Sequence, residues 1–461
     1  MLFALELEQT PQFCGILWSW TVGDLLASAR CRTMFGPFRY AFKVVIRKGD
    51  LRITDARGET HRFGDRTGQR SAVRVTDRWT EIKIATDPWL AIGEAYMDGR
   101  LIVEEGGFYR FMEILLSNAE EVPLPRWTWS LNFLRWLIRR VDQFNPIARA
   151  RRNASAHYDI EPEIYRLFLD SDQQYSCAYF NKPDDDLETA QTAKKRHLAA
   201  KLLIKPGDEV LDIGCGWGGL GIYLARVSGA DVTGITLSRE QLKIARTRGQ
   251  EVPQPDRLTF RLEDYRETKG QFDKIVSVGM FEHVGVDHYR TFFRRLSDLL
   301  NKDGVALLHT IGRTPGPAPT NPFIKRYIFP GGSLPALSEI LPHVEASGLV
   351  VCDIEILRLH YAETLRHWRE RFLNHWDEAV RLKGEKFCRM WEFYLAGSDA
   401  SFRYQGLVVF QIQLAHNQSA VPLTRDYIGD EEARLAQCER FGKEKKIADT
   451  REGRKTARRR G

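Results

Sequence analysis

Three short stretches combine residue types that could do chemistry. "VLDIGCGWGG" puts Asp212, Gly214 and Gly216 at the end of an apolar run. Glycines there allow a tight turn and let a ligand approach the backbone closely. In "KIVSVGMFEHVGVDHY", Ile275, Val276 and Val278 are apolar, and Glu282 and His283 follow at once. A carboxylate in that place is either the start of a solvated loop or the tip of an active-site strand. His309 closes the apolar "ALLH" in a similar way and, taken alone, is equally well a core histidine. Glu282, His283 and His288 do not have metalloprotease spacing and no cysteine pair supports them, so no metal is expected.

The elements around these residues decide between the readings. From Ala190 strands alternate with helices: "DEVLDIGCG" strand, "GLGIYLARVSG" helix ended by Gly229, "ADVTGITLS" strand, "REQLKIARTRGQ" helix capped by Ser238. "LTFRLEDY", "FDKIVSVGM" and "GVALLHTIG" read as further strands, with "HYRTFFRRLSDLLNKDG" a helix ended by Gly304. This alternation predicts an α/β fold with a doubly wound, mostly parallel sheet. The glycine loop follows a strand and opens a helix. It is not GxGxxG followed by an acid about 20 residues on: "GITLS" carries no acid to grip a ribose, which argues against a nicotinamide enzyme. Without a phosphate-cradling lysine, the loop suits a ligand such as S-adenosylmethionine.

The chain of 461 residues is too long for one typical core, so two domains are expected. Hydrophobic and charged fractions of 43% and 28% are those of a soluble globular protein. We divide it into a segment 1–34, a small α+β domain 35–125, a basic amphipathic linker helix 126–156, a catalytic domain 157–420 and a basic, disordered tail 421–461. Residues from about 35 to 85, including "FKVVIRKGD" and "TEIKIATD", alternate like short strands, and the chain turns helical from Pro88. The linker carries seven arginines and one acid between Arg126 and Arg152, interleaved with three tryptophans. It suits a place between domains with its arginines solvated or, alternatively, a lipid headgroup layer. The tail "REGRKTARRRG" either solubilises or meets an anionic partner. Seven scattered cysteines without a CxxC pair argue for a reducing compartment. "FCGILWSWTVGDLLA" is too short to span a bilayer and no signal peptide is evident, so a cytoplasmic protein is expected.

From His157 to about Leu414 the chain resembles the cyclopropane-fatty-acyl-phospholipid synthase family, which includes mycolic acid cyclopropane synthases. The phrases that carry the resemblance are "HYDI", "QYSCAYF", "VLDIGCGWGGL", "GITLSREQ", "EDYRE", "VSVGMFEHVG", "LLHTIG" and "RYIFPGGSLP", with "GEAYMDG" in the front domain. The resemblance implies a seven-stranded class I methyltransferase sheet, with Gly214, Glu282 and His309 ending three adjacent strands. It implies an S-adenosylmethionine site made by Tyr175, Ser176, Asp212, Gly214, Cys215, Gly216, Gly219, Thr236, Leu237, Gln241, Asp264 and Tyr265. It further implies a bicarbonate ion, held by Cys177, Glu282, His309, the backbone of Ile311 and Tyr361, that takes a proton from a carbocation formed when a cis alkene is methylated. Tyr158 and Phe281 would contact the acyl chain.

The implied substrate is unsaturated phospholipid at the inner face of the membrane, to which the protein would bind peripherally; some relatives suggest a homodimer, and nucleic acid is not expected as a partner. Two departures stand out. The family's "HYDLGN" reads "HYDIEP", so Glu161 and Pro162 differ, and Ser398 stands where many members carry a cysteine. A covalent cysteine role at that position is therefore not expected. The competing readings are a lipid methyltransferase that adds a methyl or methylene branch without ring closure, and a membrane- or nucleic-acid-binding protein with a spent methyltransferase fold.

Overall fold

A computed structural model describes residues 36–68, 70–119 and 162–440. The N-terminal segment, the linker helix, Tyr158 and the last part of the tail lie outside these residues.

In the front domain, helix α1 (Gly36–Val45) precedes strands β1 (Asp50–Thr54), β2 (Thr60–Phe63) and β3 (Arg70–Val75). Helices α2 (Arg78–Thr86) and α3 (Pro88–Met97), strand β4 (Leu101–Glu105) and helix α4 (Gly107–Ala119) follow, and the sheet order is β2-β1-β3-β4. Two segments expected as strands are helical. "FKVV" ends α1, and "TEIKIAT" lies in α2. For α2 the reason is local: Asp77 accepts a hydrogen bond from the Thr80 N–H at 2.9 Å, a helix N-cap that overrides the period-two pattern.

The catalytic half begins with α5 (Pro162–Arg166) and α6 (Leu187–Leu202). It continues with β5 (Glu209–Ile213), α7 (Gly219–Ser228), β6 (Asp231–Thr236), α8 (Arg239–Gln250), β7 (Leu258–Leu262) and β8 (Phe272–Val278). Then come α9 (Tyr289–Leu299), β9 (Leu300–Arg313), α10 (Leu337–Glu345), β10 (Val350–Leu357), α11 (His360–Asn374), α12 (Trp376–Lys383), α13 (Glu385–Tyr404) and β11 (Leu407–Ala415). The sheet order is β10-β11-β9-β8-β5-β6-β7, with β11 antiparallel to β9 and β10 and the other pairs parallel. This is the class I methyltransferase sheet. Its central strands are buried along most of their length, because helices cover both faces. Ser238 caps α8 through the Gln241 N–H, and Gly229 ends α7 in the left-handed region at φ 73°. The helix expected to run to Gly304 stops at Leu299, because Leu300 already pairs with Phe272 of β8.

The tail also differs from expectation. Residues 426–440 form a helix, α14, whose Leu435 is fully buried against the cluster containing Leu198 and Leu224. Its Glu439 accepts hydrogen bonds from Arg196 at 2.7 Å and from the Tyr223 hydroxyl at 2.6 Å. An apolar face and paired acids anchor this part of the segment despite its charge. The front domain is seated on the catalytic half through one continuous apolar core that includes Phe108, Phe111, Phe323, Phe393 and Trp391. Among the described residues, no helix is long and apolar enough to cross a membrane.

Candidate active site

The turn after β5 is built by glycine. Gly214 has φ 86°, and a Cβ there would lie 2.9 Å from Met280 Cβ. A side chain is thus excluded on both counts. The loop opens one wall of a cavity lined by Tyr175, Ser176, Asp212, Gly214, Cys215, Gly216, Gly219, Thr236, Leu237, Gln241, Asp264 and Tyr265. Every residue that the resemblance assigns to S-adenosylmethionine is therefore in one lining. Gln174, Glu263, Met280 and His283 also line it and were not foreseen. Gln174 lies inside "QYSCAYF", Glu263 inside "EDYRE", and Met280 and His283 inside "VSVGMFEHVG"; membership of those phrases was the available signal.

The segment that carries Tyr175 and Ser176 is pinned from below. Asp170 accepts from the Gln174 N–H at 2.7 Å, and the Gln191 amide donates to the Ser176 carbonyl at 2.9 Å. Lys194, fully buried on α6, donates to Gln174 Oε1 at 2.6 Å and to Ser176 Oγ at 2.8 Å. Burial lowers the Lys194 ammonium to about 8, while Asp170 pulls the other way. The Tyr175 hydroxyl pairs with the Tyr394 hydroxyl at 2.9 Å, and its ring stacks on Trp368 at 5.2 Å. Such ring faces attract a cation such as a sulfonium.

The fit to S-adenosylmethionine rests on an unpaired group. Asp212 is 1% exposed and its Oδ2 has no hydrogen-bond partner. Burial raises its carboxyl to about 7, against the pull of Lys194. A buried acceptor in a cavity wall is suited to a ligand's ammonium group. Thr236 donates to Gln241 Oε1 at 2.9 Å, which sets the orientation of that amide. Asp264 is held by Arg266 at 2.7 and 2.8 Å, so its carboxylate is already occupied.

The residues expected to hold an anion lie beside this cavity, outside its lining. Val278 and Met280 line the cavity; Val278 pairs with His309, and Met280 is two residues from Glu282. His309 pairs in register with Val278, the last residue of β8. The strand runs on to Arg313, so His309 lies within β9 at the level where β8 ends, and Ile311 follows on the same face. Glu282, on the turn after β8, accepts from the Ile311 N–H at 2.6 Å. This backbone group was expected to face the anion, but the Glu282 carboxylate has taken it. Burial raises the Glu282 carboxyl to about 7, opposed by that hydrogen bond. Its Oε2 and the His309 Nε2 are both buried without a partner. A buried acceptor and a buried imidazole nitrogen, each unpaired, fit a small hydrogen-bonding anion such as bicarbonate.

Cys177 and Tyr361 belong to the core cluster against which Ile311 packs. Cys177 is 1% exposed, its thiol donates to the Ala178 carbonyl at 3.3 Å, and burial pushes its pKa well up. It is therefore a neutral thiol. Ala178 is tied to α11, which carries Tyr361, through the Thr364 hydroxyl at 3.0 Å. Lys194 is within electrostatic reach of both Cys177 and His309.

Phe281 does not line the cavity. It is fully buried against Tyr289, Phe292 and Phe293, because its side chain turns into the core under α9. His283, which does line it, is held neutral by burial at about 4. Among the described residues, the one group of acids and histidines close enough to share a cation is Asp55, Glu59 and His61 in the front domain.

A family model described as mycolic acid cyclopropane synthetase matches residues 146–412. A probable fatty acid methyltransferase of Pseudomonas putida is 43% identical over 59% of this chain and 72% of its own length. The cyclopropane-fatty-acyl-phospholipid synthase of Escherichia coli is 39% identical over 70% of this chain and 82% of its own. Among solved structures, a cyclopropane synthase from Mycobacterium tuberculosis matches at 34% identity and a TM-score of 0.56, over 59% of this chain and 99% of that one. A mycolic acid cyclopropane synthase solved with SAH and CTAB matches at 33% and 0.55, over the same shares. The glycine loop, the cavity beside it and these matches agree: the chain belongs to the mycolic acid cyclopropane synthetase family of S-adenosylmethionine-dependent methyltransferases.

Proposed function

We propose that this protein is a cyclopropane-fatty-acyl-phospholipid synthase acting on the cis double bond of unsaturated phospholipid at a membrane surface. The observation that carries the reading is the buried pair beside the cofactor cavity, Glu282 Oε2 and His309 Nε2, both lacking partners. S-adenosylmethionine supplies an electrophilic methyl group. Bound bicarbonate supplies a base for the proton that must leave the added carbon before a ring can close. The chain's own part is to exclude water, to hold the base and to place charge. Burial of Cys177, Glu282, His309 and Tyr361 keeps water from a cationic reaction centre. Tyr175, which lines the cavity and is backed by Trp368, offers an aromatic ring to positive charge. Glu282, with a carboxyl raised to about 7, can share a proton with the anion instead of repelling it.

The test is incubation with S-adenosylmethionine and vesicles of monounsaturated phospholipid, followed by analysis of the acyl chains. The expected product gains one CH2 and resists mild alkene hydrogenation. Glu282→Gln and His309→Ala should each lose ring formation by a hundredfold or more, on the order of a lost general base, and still bind S-adenosylmethionine. Full turnover in both variants would exclude the anion site. A second reading, branch addition without ring closure, is favoured by the Pseudomonas putida relative described as a probable fatty acid methyltransferase. A product that still takes up hydrogen would establish it.

A further inference from the structure

His309 is one end of a buried polar chain that the proposed chemistry does not by itself require. Directly across the β9–β11 pair stands Gln411, fully buried, its amide nitrogen 3.3 Å from His309 Nδ1. Gln411 Oε1 lies 3.0 Å from Lys201 Nζ, and Lys201 is itself fully buried on α6. The ammonium also pairs with Glu355 of β10, which His197 Nε2 meets at 2.7 Å. His197 Nδ1 in turn lies 2.7 Å from Glu432 on α14.

The donor inventory orients this chain in one direction. A lysine ammonium only donates, so the amide atom facing Lys201 is the oxygen. The other amide atom, facing His309, is then the NH2 group and donates. Nδ1 must therefore accept, which leaves the ring proton on Nε2. That nitrogen is buried and has no partner. We propose that Lys201 and Gln411 form a tautomer lock, which holds His309 as an Nε2–H donor facing the small anion of the reaction. The proposal rests on the anion-site reading above and adds to it two positioning residues and the direction of one hydrogen bond. Without the lock, the imidazole could turn its lone pair towards the anion and repel it.

The surrounding charges keep the ring neutral as well as oriented. Burial, then Lys194, Lys201 and His197, lower His309 to about 3, with Glu355 opposing. Lys201 stays in place because Glu355 neutralises it. Burial would raise the Glu355 carboxyl, but His197 and Lys201 outweigh that and hold it at about 2. Glu282 faces the same site from the β8 turn through the Ile311 N–H.

The experiment is 15N NMR on the full-length protein with labelled histidine, the His309 signals being identified by their loss in His309→Ala. The expected spectrum shows an acceptor-type Nδ1 and a protonated Nε2, the latter shifting when bicarbonate alone is added. Gln411→Glu places an acceptor opposite Nδ1. It should reverse the tautomer and reduce turnover on the order of a hundredfold, with S-adenosylmethionine binding retained. Lys201→Met removes a positive neighbour, so the imidazole should protonate more readily and the acid limb of the pH–rate profile should move to higher pH. A proton on Nδ1 in the wild type would overturn the proposal, even if neither variant folds. So would wild-type turnover in Gln411→Glu despite a reversed tautomer. If the wild type forms no ring, the functional reading fails, while the spectrum still decides the tautomer.

Discussion

At the scale of single residues, the site is defined by polar atoms placed where water is absent. Glu282 is the clearest case. Its carboxyl is raised from the usual 4.5 to about 7 because burial disfavours the charge more than the Ile311 N–H favours it. The native state then holds this proton more tightly than the unfolded chain does. The contribution to stability is greatest below about pH 4.5 and falls as the pH rises to about 7. Glu282→Gln removes that dependence. The unfolding free energy of the variant should gain on that of the wild type between pH 4.5 and 7, towards a difference on the order of 3 kcal/mol, read as a rise in its relative melting temperature. A difference that is the same at pH 4.5 and pH 8 would mean that the carboxyl is not desolvated. Glu282 could be picked out in the sequence, since an acid directly after an apolar strand is unusual. Gln411 and Lys201 could not. Their importance comes from facing each other and His309 across three elements, and no spacing in the chain records that.

At the scale of elements, strand tips and helix ends position the chemistry. The glycine turn after β5, the Glu282 turn after β8 and the middle of β9 lie side by side because β5, β8 and β9 are neighbours in the sheet. α6 supplies Lys194, His197 and Lys201 on its buried side, and α14 closes over it. Leu435 is the apolar anchor of α14. Leu435→Ala should cost about 2–5 kcal/mol of docking, seen as faster amide exchange and earlier proteolysis across 426–440. Unchanged protection there would mean that the ion pairs with Arg196 and His197 suffice. This helix was not legible as such. Its charged composition matches a disordered arm, and only burial of one leucine face against α6 and α7 gives it a reason to fold.

At the scale of the whole molecule, the front domain is fastened to the catalytic half by packing and by polar ties. The Tyr96 hydroxyl donates to Glu392 at 2.5 Å, and the Tyr327 hydroxyl and Arg326 reach Glu94 at 2.8 and 2.9 Å. Gly93 permits the closest approach, since a Cβ at that position would overlap the Phe323 ring. Gly93→Val should therefore wedge the two halves apart. An overpacking cost of about 1–3 kcal/mol is expected, read as a fall of several degrees in the melting temperature. An unchanged melting temperature would show that Phe323 turns aside and that the seat is not tight.

The amino-acid order by itself determined the alternating strands and helices, the glycine turn and the family, because these depend on short-range patterning and on motifs several residues long. It misplaced α1 and α2, whose period-two apolar spacing imitates strands, since a cap such as Asp77 acts through geometry that hydrophobic pattern does not encode. Only the tertiary structure decided that the Ile311 N–H goes to Glu282, that Phe281 is core, and that Lys201 and Gln411 stand behind His309. Those pairings join residues far apart along the chain, and burial from water, which gives each hydrogen bond its consequence, exists only once the sheet and its helices have assembled.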